Sequence, residues 1–172
     1  MAAAIAICAC GGSTAGGGSS TTASPSPSMI ASVDACSLVS ASEASAAAGT
    51  TLTNMAGSGV TVPGACFYGA QGSSSGVYIF AQVYPDAQTA DAVTAQQLSA
   101  SLGAQIGLGA TGGKQVSGIG DRAYEFTATG NAGGGIAIIA FKANVVLMIL
   151  VDPSTNTGTV EELAKTAIGR LH

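Results

Sequence analysis

The residues of this chain with the most chemistry available are its cysteines, at positions 8, 10, 36 and 66. A thiol can be acylated, oxidised to a disulfide, or bound to a metal. Metal is the least supported of these, because there is no C-x-x-C spacing and the sole histidine is His172. The same histidine is a poor general base, since a serine hydrolase needs an imidazole placed by a carboxylate and a terminal side chain is solvated. Asp121 and Glu125 are the mid-domain acids close in sequence. A glycosidase would need two carboxyl groups held about 5 to 9.5 Å apart. We instead expect Asp121 to serve the Gly-Ile-Gly-Asp turn, and Arg122 and Glu125 to be solvated. Gly107 to Gly112 spells G-L-G-A-T-G, but a dinucleotide fingerprint must follow a strand and open a helix. Here it is expected to follow a helix and to form part of a connector. A phosphate loop at Gly113 and Lys114 fails twice, with Leu108 in place of its first Gly and Gln115 in place of Ser or Thr. No catalytic residue, cofactor or metal site is therefore expected.

Acylation is better supported. The chain opens on a short apolar run, M-A-A-A-I-A-I-C-A-C, which ends at Gly11. It is far shorter than the ~20 residues of a membrane span, yet suits the apolar part of a secretory signal peptide. Ile7, Cys8, Ala9 and Cys10 resemble a bacterial lipobox, in which an aliphatic, a tolerated and a small residue precede the cysteine that receives diacylglycerol. That resemblance makes Cys10 the lipidated residue; Cys8 follows Ile7, too large for the small position. The first charge in the chain is Asp34, so we expect the true precursor to begin further upstream, with a basic segment. Residues 11–32 are rich in Gly, Ser, Thr, Ala and Pro and read as a disordered linker, able to hold a domain away from a membrane surface. Residues 1–10 are then a signal-peptide remnant with its lipobox, and 33–172 a single extracytoplasmic domain.

With Cys8 removed and Cys10 acylated, Cys36 and Cys66 remain. An even pair in an exported chain reads as a disulfide, and this one would close a loop of thirty positions. Composition bounds the partners. Of 172 residues 47% are hydrophobic and 8% charged, with 5 Lys plus Arg and a net charge of -4. There is no basic stripe to neutralise a phosphate backbone, which argues against nucleic acid. A mean hydropathy of +0.46 excludes disorder over the whole length.

These cysteines need elements to position them. Ser40-x-x-Glu43 is a capping box opening an Ala-rich helix that Gly49 should end. Stretches 50–55, 65–70 and 77–84 read as strands, Cys66 falling on the second, so the bridge would staple the first helix to the sheet. Asp86 can cap a helix running to about Leu102, and a glycine-rich connector is expected over 103–120. Residues 123–128 alternate as a half-buried strand. Ile136–Phe141 and Val145–Val151 read as a hairpin, the second strand apolar on both faces and therefore central. Thr159-x-x-Glu162 opens a last helix, with Val160, Leu163, Ala164, Ala167, Ile168 and Leu171 along one face. The fold class expected is α+β: an antiparallel sheet with helices packed on it, in an order compatible with a duplicated α-β-β-β unit plus a C-terminal helix.

D-A-C-S-L-V-S at Asp34 to Ser40, Cys66-x-Tyr68, G-I-G-D-R-A-Y at Gly118 to Tyr124, and the closing hairpin and helix occur in that order. In this the chain resembles an uncharacterised actinobacterial lipoprotein family, a domain of unknown function that opens with Asp-Pro-Cys and has a later Cys-x-aromatic. Ala35 stands where that family often has Pro, and Tyr68 where it often has Trp. The resemblance implies a surface-anchored, disulfide-bonded domain and supplies no catalytic residues.

Tyr78, Phe80 and Tyr84 point to one side of their strand, with Val77, Ile79, Ala81 and Val83 on the other. If helices cover the aliphatic face, these rings could line a groove with Tyr124 and Phe126; the alternative is that both faces are core. The function expected is that of a lipid-anchored cell-envelope module that binds, interacts or senses without catalysis. The alternative is a carrier of a lipid or other hydrophobic small molecule.

Overall fold

The computed structural model describes residues 29–55, 62–106, 109–129 and 134–172. The lipobox, Cys10 and most of the expected linker lie outside the described residues. The elements run α1 (Ala35–Leu38), α2 (Ala41–Ala48), β1 (Thr53–Asn54), β2 (Ala65–Gly69), β3 (Gly76–Val83), α3 (Ala87–Ala92), α4 (Ala95–Ile106), β4 (Gly109–Val116), β5 (Arg122–Thr129), β6 (Gly135–Lys142), β7 (Val145–Asp152) and α5 (Thr157–Gly169). The strands form one antiparallel sheet in the order β1-β2-β3-β7-β6-β5-β4. This is the α+β class, with helices on an antiparallel sheet and a helix at the C-terminal end.

Two meanders build the sheet. The first, β1-β2-β3, stops at Val83. The chain then crosses one face through α3 and α4 to the far edge and returns as β4-β5-β6-β7, so that β7 closes on β3 with Ile79 opposite Ile149. Each meander is preceded by a pair of helices. The second has four strands where three were expected, and the helix pairs cover opposite faces.

Side-chain alternation sorts the core into two layers. Val77, Ile79, Leu147, Ile149, Ile138 and their neighbours pack with α1, α2 and α5 on one face. Phe126, Ile139, Phe141, Val146, Met148 and Leu150 pack with Ala90, Ala95 and Leu98 of α3 and α4 on the other. Strands β6 and β7 are buried on both sides almost throughout, which is why their sequences read as continuous apolar runs.

Local signals explain most boundaries. The capping box is present at Ser40 and Glu43, and Gly49 closes α2 with a left-handed φ of 66°. α5 buries the stripe Val160, Leu163, Ala164, Ala167 and Ile168. Its cap is Asn156 rather than Thr159: the Asn156 carboxamide accepts from the Thr159 N–H, and the helix starts earlier than the S/T-x-x-E box suggests. The expected helix from Asp86 to Leu102 is two helices. Thr94 breaks it by capping afresh, its hydroxyl accepting from the Gln97 N–H while the Gln97 carboxamide accepts from the Thr94 hydroxyl and N–H. The expected connector over 103–120 is also resolved into structure: α4 continues to Ile106, and 109–116 is the edge strand β4.

The chain joins the fold before Val33. Ile30 is buried, and its N–H donates to Asn144 Oδ1 at 2.8 Å while Asn144 Nδ2 donates to the Ile30 carbonyl at 2.9 Å. Asn144 itself is 1% exposed and also donates to the Tyr84 carbonyl. One buried amide thus holds the incoming chain and the end of β3 to the β6–β7 turn.

Candidate functional site

Cys36 and Cys66 form a disulfide with Cα atoms 5.0 Å apart. Asp34 caps α1 by accepting from the Cys36 N–H, which fixes one half of the bridge; strand β2 fixes the other. Tyr68, two residues beyond Cys66, donates its hydroxyl to the Val39 carbonyl at 2.5 Å. The α1–α2 corner is therefore fastened to β2 covalently and by a buried hydrogen bond. Burial, with the Asp34 and Glu43 charges, raises the Tyr68 pKa, so the phenol stays a donor at neutral pH. A disulfide belongs to an oxidising compartment outside the cytoplasm. Among the described residues no helix is long and apolar enough to cross a membrane.

The five aromatic candidates lie on one face of the sheet, but both faces carry helices and the rings do not form one groove. Tyr78 and Phe80 on β3 are separated from Tyr124 and Phe126 on β5 by β7 and β6, three strand spacings or about 14 Å. Tyr78 stacks on Phe67 with centroids 4.4 Å apart. Tyr84 is partly buried at the end of β3, held by Asn144. Burial raises the pKa of both tyrosines, with Asp152 adding to the effect on Tyr78.

Tyr124 and Phe126 do come together, at a recess of about 300 Å³ between the α3–α4 corner and the β4–β5 edge. Its lining adds Phe141, Arg122, Thr94, Gln96 and Gly113. Tyr124 and Phe141 meet edge to face at 6.4 Å, and the Arg122 guanidinium carbon lies 4.0 Å above the Phe141 ring centroid. Arg122 is thus not a solvated side chain. Its Nη2 donates to the Asp91 carbonyl at 3.0 Å and to those of Ala90 and Val93 at 3.5 Å, pinning the α3–α4 corner to β5. The turn before β5 aims it: Gly120, at φ 61°, has no Cβ to overlap the Phe141 carbonyl, which accepts from the Asp121 N–H at 2.7 Å.

The acids do not converge. Asp121 accepts from the Ala143 N–H across the β6–β7 turn. Glu125 points to the opposite face, where it accepts from the Thr157 hydroxyl at 3.4 Å and leaves Oε2 buried without a partner. Lys142 is spent on the carbonyls of Ile168 and Leu171 at the end of α5. Among the described residues no three His, Cys, Asp or Glu side chains cluster to hold a metal ion.

No known family model matches the chain, and no characterised protein is similar to it in sequence. Sequence reasoning missed Arg122, Thr94, Gln96 and Gly113 as recess residues. The T-x-x-Q cap at Thr94 was the signal that could have revealed the α3–α4 corner over β5.

Proposed function

We propose that this protein is a lipid-anchored, extracytoplasmic module that acts by binding, interacting or sensing at the cell envelope, with no catalysis, and that it is related to the actinobacterial lipoprotein family it resembles. The Cys36–Cys66 bond carries the reading, because it belongs to the exported side of a membrane, where a lipobox ending at Cys10 would place the chain. Under this reading the β6–β7 turn is the end of the domain nearest the anchor, because Asn144 holds Ile30 there. Several acyl chains on one cysteine give firm attachment without a spanning helix.

Carriage of a lipid or other large hydrophobic molecule is the competing reading. The middle of the sheet is filled on both faces by side chains, and the recess described is at the lower end of small-molecule volumes. Both favour the binding module. Metabolic labelling of the full-length precursor with a palmitate analogue tests the anchor. Incorporation is expected and should vanish in Cys10→Ala; no incorporation, or incorporation that survives the substitution, overturns it. Native mass spectrometry of protein extracted from membranes tests the job, since a carrier retains a lipid-sized adduct.

A further inference from the structure

Arg122 makes unusually little use of its guanidinium. The group has five N–H donors, yet every hydrogen bond it forms leaves from Nη2. Nε is buried without a partner, and Nη1 donates to nothing among the described residues. The side chain keeps 29% of its exposure, and its one ionic contact, to Asp91 at 3.3 Å, is with a carboxylate 63% exposed at the rim. Such a pair is heavily screened by solvent. The charge over the Phe141 ring is therefore under-compensated, in a recess where the Gln96 carboxamide and Tyr124 hydroxyl also lack hydrogen-bond partners among the described residues.

The walls are aromatic: Phe126, Phe141 and Tyr124. The recess also depends on a missing side chain. Strand register slips between Thr111 and Lys114 on edge strand β4, and irregularities of this kind re-aim residues beside functional sites. A Cβ on Gly113 would come within 3.1 Å of Phe126 Cε1 and 3.8 Å of Gln96 Oε1. Any larger residue there would occupy the space over the Phe126 ring.

We infer that this recess binds a small molecule consisting of a carboxylate on a flat aromatic body. The ring lies among Phe126, Phe141 and Tyr124, where offset or edge-on contacts are favourable, and the carboxylate takes the unused guanidinium donors with the Gln96 and Tyr124 groups. A volume of about 300 Å³ suits one ring and excludes a two-chain lipid. The assignment rests on the binding-module part of the function proposed above and not on the lipid anchor.

The test is a titration of the full chain carrying Cys10→Ser, with the Cys36–Cys66 bond intact, by benzoate and by its neutral analogue benzamide, read from backbone amide NMR shifts. Benzoate should give saturable shifts at Gln96, Gly113 and Tyr124. Benzamide should bind at least about tenfold more weakly, the scale of one charge-assisted hydrogen bond. Gly113→Val should abolish the shifts; Gln96→Ala, on an exposed helix position, should weaken binding by about threefold or more, the scale of one ordinary hydrogen bond. No saturable shift with millimolar benzoate, equal binding of benzamide, or full affinity in Gly113→Val overturns the proposal. If Gly113→Val does not fold, unchanged affinity in Gln96→Ala overturns it. Palmitate labelling is blind to all of these outcomes, so failure of the anchor and failure of the site are told apart.

Discussion

Glu43 and Arg170 are 127 positions apart in the chain and meet as a two-pronged ion pair, with N–O distances of 2.6 and 2.8 Å. Arg170 also donates to the Leu38 carbonyl at 2.7 Å, and Glu43 Oε2 accepts from the Ser40 N–H at 2.8 Å. One carboxylate thus serves both the α2 cap and the contact between α2 and α5. The Arg170 hydrogen bond first, and the Ser40 backbone bond second, hold its pKa at about 2 rather than 4.5. A carboxyl whose folded pKa is depressed adds stability above its unfolded pKa and loses it as pH falls through the folded one. Both side chains keep about a third of their exposure, so solvent screening holds the effect to about 1 kcal/mol. Glu43→Gln should therefore lower stability by about that amount at about pH 7. The gap from the parent should close between about pH 4.5 and about pH 2 in urea unfolding curves. A gap independent of pH would mean that shape rather than charge is what Glu43 contributes.

At the scale of elements, what was legible in the sequence follows the strength of its periodicity. β6, β7 and α5 announce themselves because each carries a sustained apolar pattern, continuous or helical, long enough to exclude alternatives. β4 does not: Gly109–Val116 has three glycines and a single large aliphatic residue, Val116, and becomes a strand by pairing with β5. Tertiary pairing overrode a composition that reads as a loop. Tyr124 and Phe126 were recognisable as one side of a strand, but the recess they share with Arg122 depends on the α3–α4 corner, which comes from a different part of the chain. The start of α5 separates local signal from structure experimentally. Asn156→Ala should cost about 1 kcal/mol, the value of a lost N-cap. Thr159→Ala should fall within about 0.5 kcal/mol of the parent, because its side chain does not cap. Thermal unfolding of the two variants distinguishes the caps, and the reverse ranking would restore Thr159 as the first residue outside the helix.

For the molecule as a whole, the sheet order makes stability uneven. β6 and β7 lie in the middle, covered on both faces and paired on both edges, and set the ceiling for protection of the backbone. The α1–α2 corner is fastened to β2 by the Cys36–Cys66 bond and by the Tyr68 hydroxyl on Val39, and to the end of α5 by the Glu43–Arg170 pair, beside the Asn144 clasp that holds Ile30 to the β6–β7 turn. At one end β1 contributes two residues to the edge and pairs with β2 alone, while β2 pairs with β3 over all five of its residues. A cross-link closing a loop of thirty residues is worth about 3 to 4 kcal/mol in the chain-entropy model, larger than either non-covalent fastening. Reduction should therefore loosen α1, α2, β1 and β2 before it touches the centre. Hydrogen exchange on oxidised and reduced protein reads this directly. Amides in 30–55 and 65–69 should lose about one to two orders of magnitude of protection on reduction, while those in 136–151 keep theirs. A uniform loss would mean that the molecule opens as one unit and that the bridge acts only on the fully unfolded chain. The uneven pattern would make the cysteine pair a local clasp, holding the helices that meet the incoming chain onto a sheet that is stable without it.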